Sequence, residues 1–440
     1  MFYLNKDREL TIDLLHKMIE KHHVETKPKL KKNKDYYDGI QKILTKTYTD
    51  ATKPCSRTVV NYCKNIADSY AGYMATAGYI TYSSNDNIED IMDIFKYNDY
   101  QAEDADFLLD ALIYGVACEL MYIDEDSKTR FRLINPSSCF GVYDDSLTGD
   151  LIYFVRIYKA DDWDNTDIHC VDVYSDQNIT HYQMAGFNGQ LTLIGEEKHY
   201  FSQCPANIFT LPDEKSIFDC IIGLQDAVNE LLSSEIDDYS AFCDAYLALT
   251  GADADADDIQ MMKENRVLIL PEGAAAQWLT KNASDAQVEN MLNRIHNSIY
   301  RTAQCPDFSS ESFVSGVSSG IAIRYRLTGM ETRAGKIEAE MRKALQRRIE
   351  IICGIASLKL GEEVYKDIKI EFKRNIPEDE TALINMINAL TGKVSEKTLL
   401  SLLPFVEDVD AELEQLNEEK QKNMDLYSFG GMTNESGLLE

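Results

Sequence analysis

Metal binding, nucleophilic attack and acid–base catalysis draw on histidines, cysteines and paired carboxylates, so the spacing of those residues comes first. The chain has seven histidines, at 16, 22, 23, 169, 181, 199 and 296. None pairs with a Cys or another His at zinc-ligand spacing. Ten cysteines are scattered among mostly apolar neighbours with no CxxC pair, which reads as free buried thiols of a reducing compartment. With 74 Asp and Glu, no catalytic carboxylate pair can be singled out. Asp253, Asp255, Asp257 and Glu264 fall at positions 1, 3, 5 and 12 of a calcium loop. Asp258, however, stands where the sharp turn needs Gly, and Gln260 takes the apolar position 8, so a solvated acidic loop is the better reading. The phosphate loop GxxxxGK[ST], a GxGxxG after a strand, HExxH and GxSxG are all missing. The residues therefore point to no enzyme, no cofactor and no metal.

What remains is architecture and charge. The 440 residues are 44% hydrophobic with a net charge of -30. That composition belongs to a folded chain of two to four structural units. The charge repels nucleic acid and anionic membranes over most of the surface and favours basic partners. MFYLNKDREL has no apolar core, and no run approaches the roughly 18–20 apolar residues of a membrane span, so a soluble protein made in a cytoplasm is expected.

Two stretches carry opposite charge. Between Ile321 and Ile352 there are eight Lys/Arg against four Asp/Glu, and Ile323, Leu327, Met330, Ala334, Ile337, Met341, Leu345, Ile349 and Ile352 recur at helical spacing. A helix roughly 50 Å long with one apolar stripe is expected. Residues 216–262 hold eleven Asp/Glu and no Lys or Arg, with helical apolar spacing from Phe218 to Leu249. The spacing predicts one long acidic helix there, then a small strand-containing insert over 251–283 with RVLIL and Trp278, then a helix back over Asp285–Ala303.

The other segments read more plainly. Residues 1–57 start with a helical pattern and a lysine cluster at 27, 29, 31, 32 and 34, read as a solvated arm. Residues 58–124 look helical, with GYITY as a short strand and Asp106–Tyr122 as a second apolar helix. Residues 128–212 are short β-prone runs separated by turn residues, hence a compact antiparallel β unit. Ile368–Phe372 is a strand. Helices follow from Pro377, around Lys393–Leu403 and around Val409–Gln421, before a short tail from Ser428.

NYCKNIADSYAGYMATAGYITY (61–82), ALIYGVACELMYID (111–124), INPSSCFGVYDD (134–145) with VRIYKADD (155–162), LQDAVNELLSSEIDDYSAFCDAYLALTG (224–251) and SGVSSGIAIRYRLTGMETRA (315–334) occur in this order. Together they resemble the portal proteins of tailed bacteriophages, in particular those infecting Gram-positive hosts, over roughly residues 36–375. The resemblance implies an α+β portal fold. Its parts would be a mainly helical wing (58–217 and 320–376), a stem helix pair (218–250 and 285–305), a small β-containing clip (251–284), a tunnel loop (306–319) and helical crown (377–427), with an N-terminal arm (1–57) and a mobile tail (428–440).

The same resemblance implies a ring of copies, twelvefold in capsids, at one vertex of the virion, assembled in the host cytoplasm. Double-stranded DNA would pass its axis during packaging and ejection. Terminase large subunit and later the head-completion adaptors would dock on the clip, through Arg266, Leu268, Glu272 and Trp278. Scaffold and major capsid protein would be further partners. Phe308, Ser309, Ser310, Glu311, Ser312 and Phe313 would lie nearest the DNA, although on the residues alone this loop reads as an ordinary helix connector. Twelve copies would set about -360 charges around the hole, and a sliding channel should not grip phosphates. The basic helix could contact DNA, a neighbouring acidic subunit or its own fold. The electrostatics of an acidic ring favour the subunit contact, through Arg324, Arg326, Arg333, Arg342 and Arg347. A non-ring acidic adaptor for a basic partner stays open as the alternative.

Overall fold

The computed structural model describes residues 2–5, 8–48, 53–75, 78–159, 167–187, 189–242, 246–250, 273, 275–279, 285–310, 320–355, 364–375, 386–400 and scattered positions between 403 and 420. It is an α+β fold in two units, one comprising 1–314 with 326–375 and the other 315–325 with 376–440.

The residues expected to form an arm are folded into the first unit. Strand β1 (Phe2–Leu4) pairs in parallel with β5 (Cys139–Asp144). Helix α1 (Ile12–Lys21) continues through a π turn over His22–Thr26 into α2 (Lys27–Tyr37). Leu15, Met18 and Ile19, at i, i+3 and i+4, bury against Val142, Val155, Val171 and Val173, the single-stripe burial that amphipathic spacing predicts. Helix α3 (Tyr62–Met74) buries the expected Ile66, Tyr70, Tyr73 and Met74.

The segment expected as one helix over 106–122 divides. After β2 (Ile80–Ser83) and α4 (Glu89–Tyr97), α5 (Tyr100–Tyr114) stops at Gly115, and β3 (Val116–Ile123) begins at once. Gly115 has φ 86°, and a Cβ there would lie 2.8 Å from the Lys215 carbonyl carbon, so only glycine fits this left-handed close approach. Strand β3 is buried on both faces, so its apolar run lacks the alternation that would have separated it from a helix.

The β unit is present as expected. β5, β6 (Leu151–Lys159), β7 (Ile168–Tyr174), β8 (Asn178–Ala185) and β9 (Thr192–Lys198) form an antiparallel meander. β3 joins β4 (Thr129–Ile134) and β10 (Ala206–Thr210) in a second sheet. Phe154 and Tyr174 of the first sheet pack with Cys118, Leu120 and Ala206 of the second.

Helix α6 (Ile222–Phe242) ends before the predicted Leu249. Tyr246–Thr250 is instead strand β11, paired antiparallel with β12 (Ala275–Leu279) with Leu247 and Trp278 as backbone register partners. Pairing with a segment some thirty residues away overrides the local helical spacing, which cannot register a distant partner. Helix α7 (Asp285–Ala303) packs back along α6. The excursion is therefore helix, strand pair, helix, while RVLIL and the carboxylates from Asp253 to Glu264 lie outside the described residues.

Helix α8 (Gly320–Cys353) is the long helix predicted, about 51 Å at 1.5 Å per residue. Eight residues of its apolar stripe, from Leu327 to Ile352, are buried, and Ile323 is half-buried. Beyond α9 (Val364–Asp367), strand β13 (Lys369–Phe372) pairs antiparallel with β2. In the second unit, α10 (Glu396–Leu400) falls within the helix expected around 393–403, and Lys420 pairs with Glu396 at 2.9 Å. The start of the helix expected from Pro377 (376–385) and the tail lie outside the described residues, while 386–390 are helical. Among those residues, no helix is long and apolar enough to cross a membrane.

Candidate ring interface and channel elements

Three local devices hold the long helix, the acidic helix and the root of the 306–319 loop to the rest of the first unit. The first lies under α8. Arg348 is fully buried, one residue short of Ile349 on the apolar stripe. Its Nη1 donates to Asp104 Oδ1, its Nε donates to Glu119 Oε2 at 2.9 Å, and its Nη2 lies 2.8 Å from Glu119 Oε1. The guanidinium sits between the rings of Phe131 (4.6 Å) and Phe107 (5.6 Å). Tyr82 donates to Asp104 Oδ2 at 2.7 Å, and Asn207 Nδ2 reaches both Glu119 and the Ala344 carbonyl. Although burial opposes the charge, Asp104 and Glu119 hold the Arg348 guanidinium well above its ordinary pKa. One buried network centred on Arg348 thus ties α8 to α5, β2, β3 and β10.

The second device runs along α6. Gln225, Asn229, Ser233 and Asp237, at i, i+4, i+8 and i+12, are all buried. They accept hydrogen bonds from the backbone N–H groups of Tyr62 (2.9 Å), Val60 (3.0 Å), Thr58 (3.0 Å) and Ser56 (2.6 Å). Four helix residues rise about 6.0 Å and two extended residues about 6.7 Å, so the four rungs stay in step. Asn229 also donates to Gln41 Oε1 at 2.5 Å, and Gln225 to the Val60 carbonyl. Near the lower end, Lys46 lies 3.4 Å from Asp237 and 3.2 Å from Glu230. Against the burial of the group, the Ser56 N–H and Lys46 hold the Asp237 carboxyl below the usual range. Tyr36 donates to Asp226 at 2.8 Å. Several carboxylates of the acid-only stretch are thus engaged by residues 36–62.

The third device closes α7 and roots the loop. Tyr70 donates to the carbonyls of Ala303 (3.0 Å) and Gln304 (3.1 Å). Arg333 donates to the carbonyls of Ala303 (3.0 Å) and Ile217 (2.8 Å). Asp307 Oδ1 accepts from Ser309 N and Oγ, Ser310 Oγ donates to the Asp307 carbonyl, and His296 lies 3.6 Å from Asp307 Oδ2. Replacing Arg333 by Gln removes the charged donor from the Ile217 carbonyl and leaves the Ala303 carbonyl to Tyr70 alone. The expected loss is about 2 kcal/mol of stability, as for hydrogen bonds to a charged group, read as a lower urea midpoint at unchanged slope.

The arginines of α8 therefore have unequal roles. Arg333 serves the loop root. Arg342 reaches Glu338 at 2.6 Å and the Ile370 carbonyl, and Arg347 lies 3.4 Å from the Ala206 carbonyl. Arg324 and Arg326 are exposed. Phe308, Ser309 and Ser310 follow the root, with Phe308 43% exposed, while Glu311, Ser312 and Phe313 lie outside the described residues. So do Arg266, Leu268 and Glu272, whereas Trp278 has its backbone in β12. The sequence reading missed Arg348 and the α6 ladder. Both left a trace, an arginine on an apolar stripe and four polar residues at perfect i+4 spacing.

A helix–strand pair–helix excursion, one long helix and a two-sheet β unit make up the α+β fold that the sequence resemblance implied. The family described as phage portal protein, SPP1 Gp6-like, matches residues 16–425, and the chain belongs to it. Among curated relatives, the portal protein of Bacillus phage SPP1 is 20% identical over 439 residues, covering 92% of this chain and 83% of the relative. The portal protein of Clostridium phage phiCD119 is 21% identical over 392 residues, covering 82% and 84%. Both phages infect Gram-positive hosts. The chain is thus a phage portal protein, a component of the virion.

Proposed function

We propose that this chain assembles into a closed ring of twelve copies at a single capsid vertex, with DNA passing along its axis during packaging and ejection. The reading is supported by the α6–β11/β12–α7 excursion within a chain that the portal family matches from 16 to 425. Helices α6 and α7 form the stem. The strand pair β11/β12 belongs to the clip, where Arg266, Leu268, Glu272 and Trp278 meet the terminase large subunit and then the head-completion adaptors. Scaffold and major capsid protein contact the ring's other surfaces. Loop 306–319 meets DNA through the segment from Phe308 to Phe313. Its root is held by Tyr70, Arg333 and His296.

The chain is not an enzyme in this reading. It has no phosphate loop, and a separate ATPase drives translocation. Arg324 and Arg326, exposed early in α8, contact the neighbouring copy, while Arg333, Arg342 and Arg347 support that surface through bonds inside their own chain. Native mass spectrometry and negative-stain imaging of the purified chain, alone and with scaffold, test the reading. Closed rings with a central hole are expected. A species that stays monomeric or dimeric at high concentration in both conditions, and binds a basic protein in a salt-sensitive manner, would instead establish the acidic-adaptor alternative.

A further inference from the structure

We infer that the ring contact includes a head-to-tail pairing of the basic outer face of α2 in one copy with the acidic outer face of α4 in the next. The inference rests on the ring reading above and adds to its α8 contact a second pair of surfaces that meet.

A cyclic ring larger than a dimer uses a heterologous contact, so each copy needs two different and complementary patches. In a chain of net charge -30, copies repel one another, and a local pairing of opposite charges is required to set the register. Basic side chains without an acidic partner should be scarce where carboxylates outnumber cations so heavily. They are nevertheless gathered on α2. Lys29, Lys31 and Lys32 are exposed, and none has an ion-pair partner among the described residues. Lys34, in contrast, is answered by Asp38 at 2.7 Å. Lys32 rests its ammonium 5.6 Å from the Tyr36 ring, an arrangement that leaves the charge at the surface.

The complementary surface is α4. Glu89, Asp90 and Asp93 are exposed on it. Lys96 comes no nearer to Asp93 than 3.9 Å, with both side chains at least 70% exposed, so this contact neutralises little. The inner face of the same helix is apolar and buried through Ile91 and Phe95.

Helix α5 sets the two patches apart. Its C-terminal end, through Leu109, Ile113 and Tyr114, packs on Leu30 of α2. Its N-terminal end, through Tyr100, packs 5.7 Å from Phe95 of α4. The fifteen residues of α5 span about 22 Å, so patches of opposite sign stand at opposite ends of one rigid element. The carboxylates of α6 do not compete for this role. Three of them are engaged within their own chain, Asp226 by Tyr36 and Glu230 and Asp237 by Lys46.

The experiment uses full-length chain and two charge reversals, Lys29→Glu/Lys31→Glu/Lys32→Glu and Glu89→Lys/Asp90→Lys/Asp93→Lys. Assembly is followed by native mass spectrometry against protein concentration, with circular dichroism as the check of folding. Each reversal alone is expected to raise the half-assembly concentration by about tenfold or more, and the chain carrying both to return close to wild type. Mixing the two singly reversed proteins is expected to restore rings, since alternating copies again present opposite charges at every contact.

Rings from both single reversals at wild-type concentration would overturn the inference and leave the ring reading intact. So would a defect that neither the combined chain nor the mixture repairs. Intact rings that lose DNA retention on lysine reversal would assign α2 to nucleic acid and overturn it as well. Absence of rings from the wild type, with or without scaffold, would remove the ring reading itself. If a reversed chain loses its native spectrum, Lys29→Gln/Lys31→Gln/Lys32→Gln takes its place. That variant must then flatten the salt dependence of assembly, and an unchanged salt slope rejects the inference.

Discussion

Replacing Arg348 by Met is expected to cost about 3–5 kcal/mol, the largest effect of any single substitution considered for this chain, because it leaves Asp104 and Glu119 buried without their cation. The packing of methionine between Phe107 and Phe131 recovers little of this, since the loss is electrostatic rather than steric. Urea unfolding at pH 8 reads the loss as a lower midpoint at unchanged slope. Adding Asp104→Asn and Glu119→Gln to Arg348→Met should recover most of the loss, because an apolar or neutral replacement of a whole buried ionic group is often nearly neutral. An Arg348→Met protein as stable as wild type at pH 8 would show that the buried cation is dispensable.

The second large effect is expected at Asn229. Replacement by Leu keeps the count and branching of the side-chain heavy atoms and favours a helix, so propensity alone predicts a neutral or mildly stabilising change. The α6 ladder predicts the opposite. A leucine side chain in place of Asn229 would leave the Val60 N–H, the Gln41 Oε1 and one Gln225 amide bond without partners in a buried place. At about 1–3 kcal/mol for each stranded group, the loss should be about 3 kcal/mol or more. Hydrogen exchange locates it: the amides of Val60 and its neighbours should lose protection while those within α8 keep theirs. Gln225→Glu is a useful companion, because it keeps an acceptor for Tyr62 but removes the donor to Val60. A wild-type urea midpoint for Asn229→Leu would mean that the strap from 56 to 62 is held by packing instead.

These two sites also show why sequence reading stopped where it did. The α8 stripe was legible because amphipathic spacing is local, and its buried residues from Leu327 to Ile352 are those the period selects. The meander β5–β9 was legible because its strands are short, turn-bounded and consecutive. The two boundaries placed wrongly, after Tyr114 and after Phe242, share a cause. Strands β3 and β11 both begin in apolar runs that also satisfy a helical period. What selects the strand is a partner elsewhere, β4 and β10 for β3 and β12 for β11. The lysines of α2 were visible as a cluster, but not that Leu30 and Tyr36 anchor them to the body of the first unit, which turns a solvated arm into a fixed charged face.

By itself the sequence determined the α+β class, the excess of negative charge and the absence of nucleotide-binding and hydrolase motifs, because composition and local pattern decide these. Five collinear segments also sufficed to assign the family. Only the tertiary structure decided what the charges do. Arg348 lies 229 residues from Glu119 and 244 from Asp104, and the rungs of α6 meet residues more than 160 positions away. Such pairings depend on which elements are brought together in space. Coulomb energy and hydrogen bonding fall off with distance through space, not along the chain, so the part played by a charged residue is set by the fold around it.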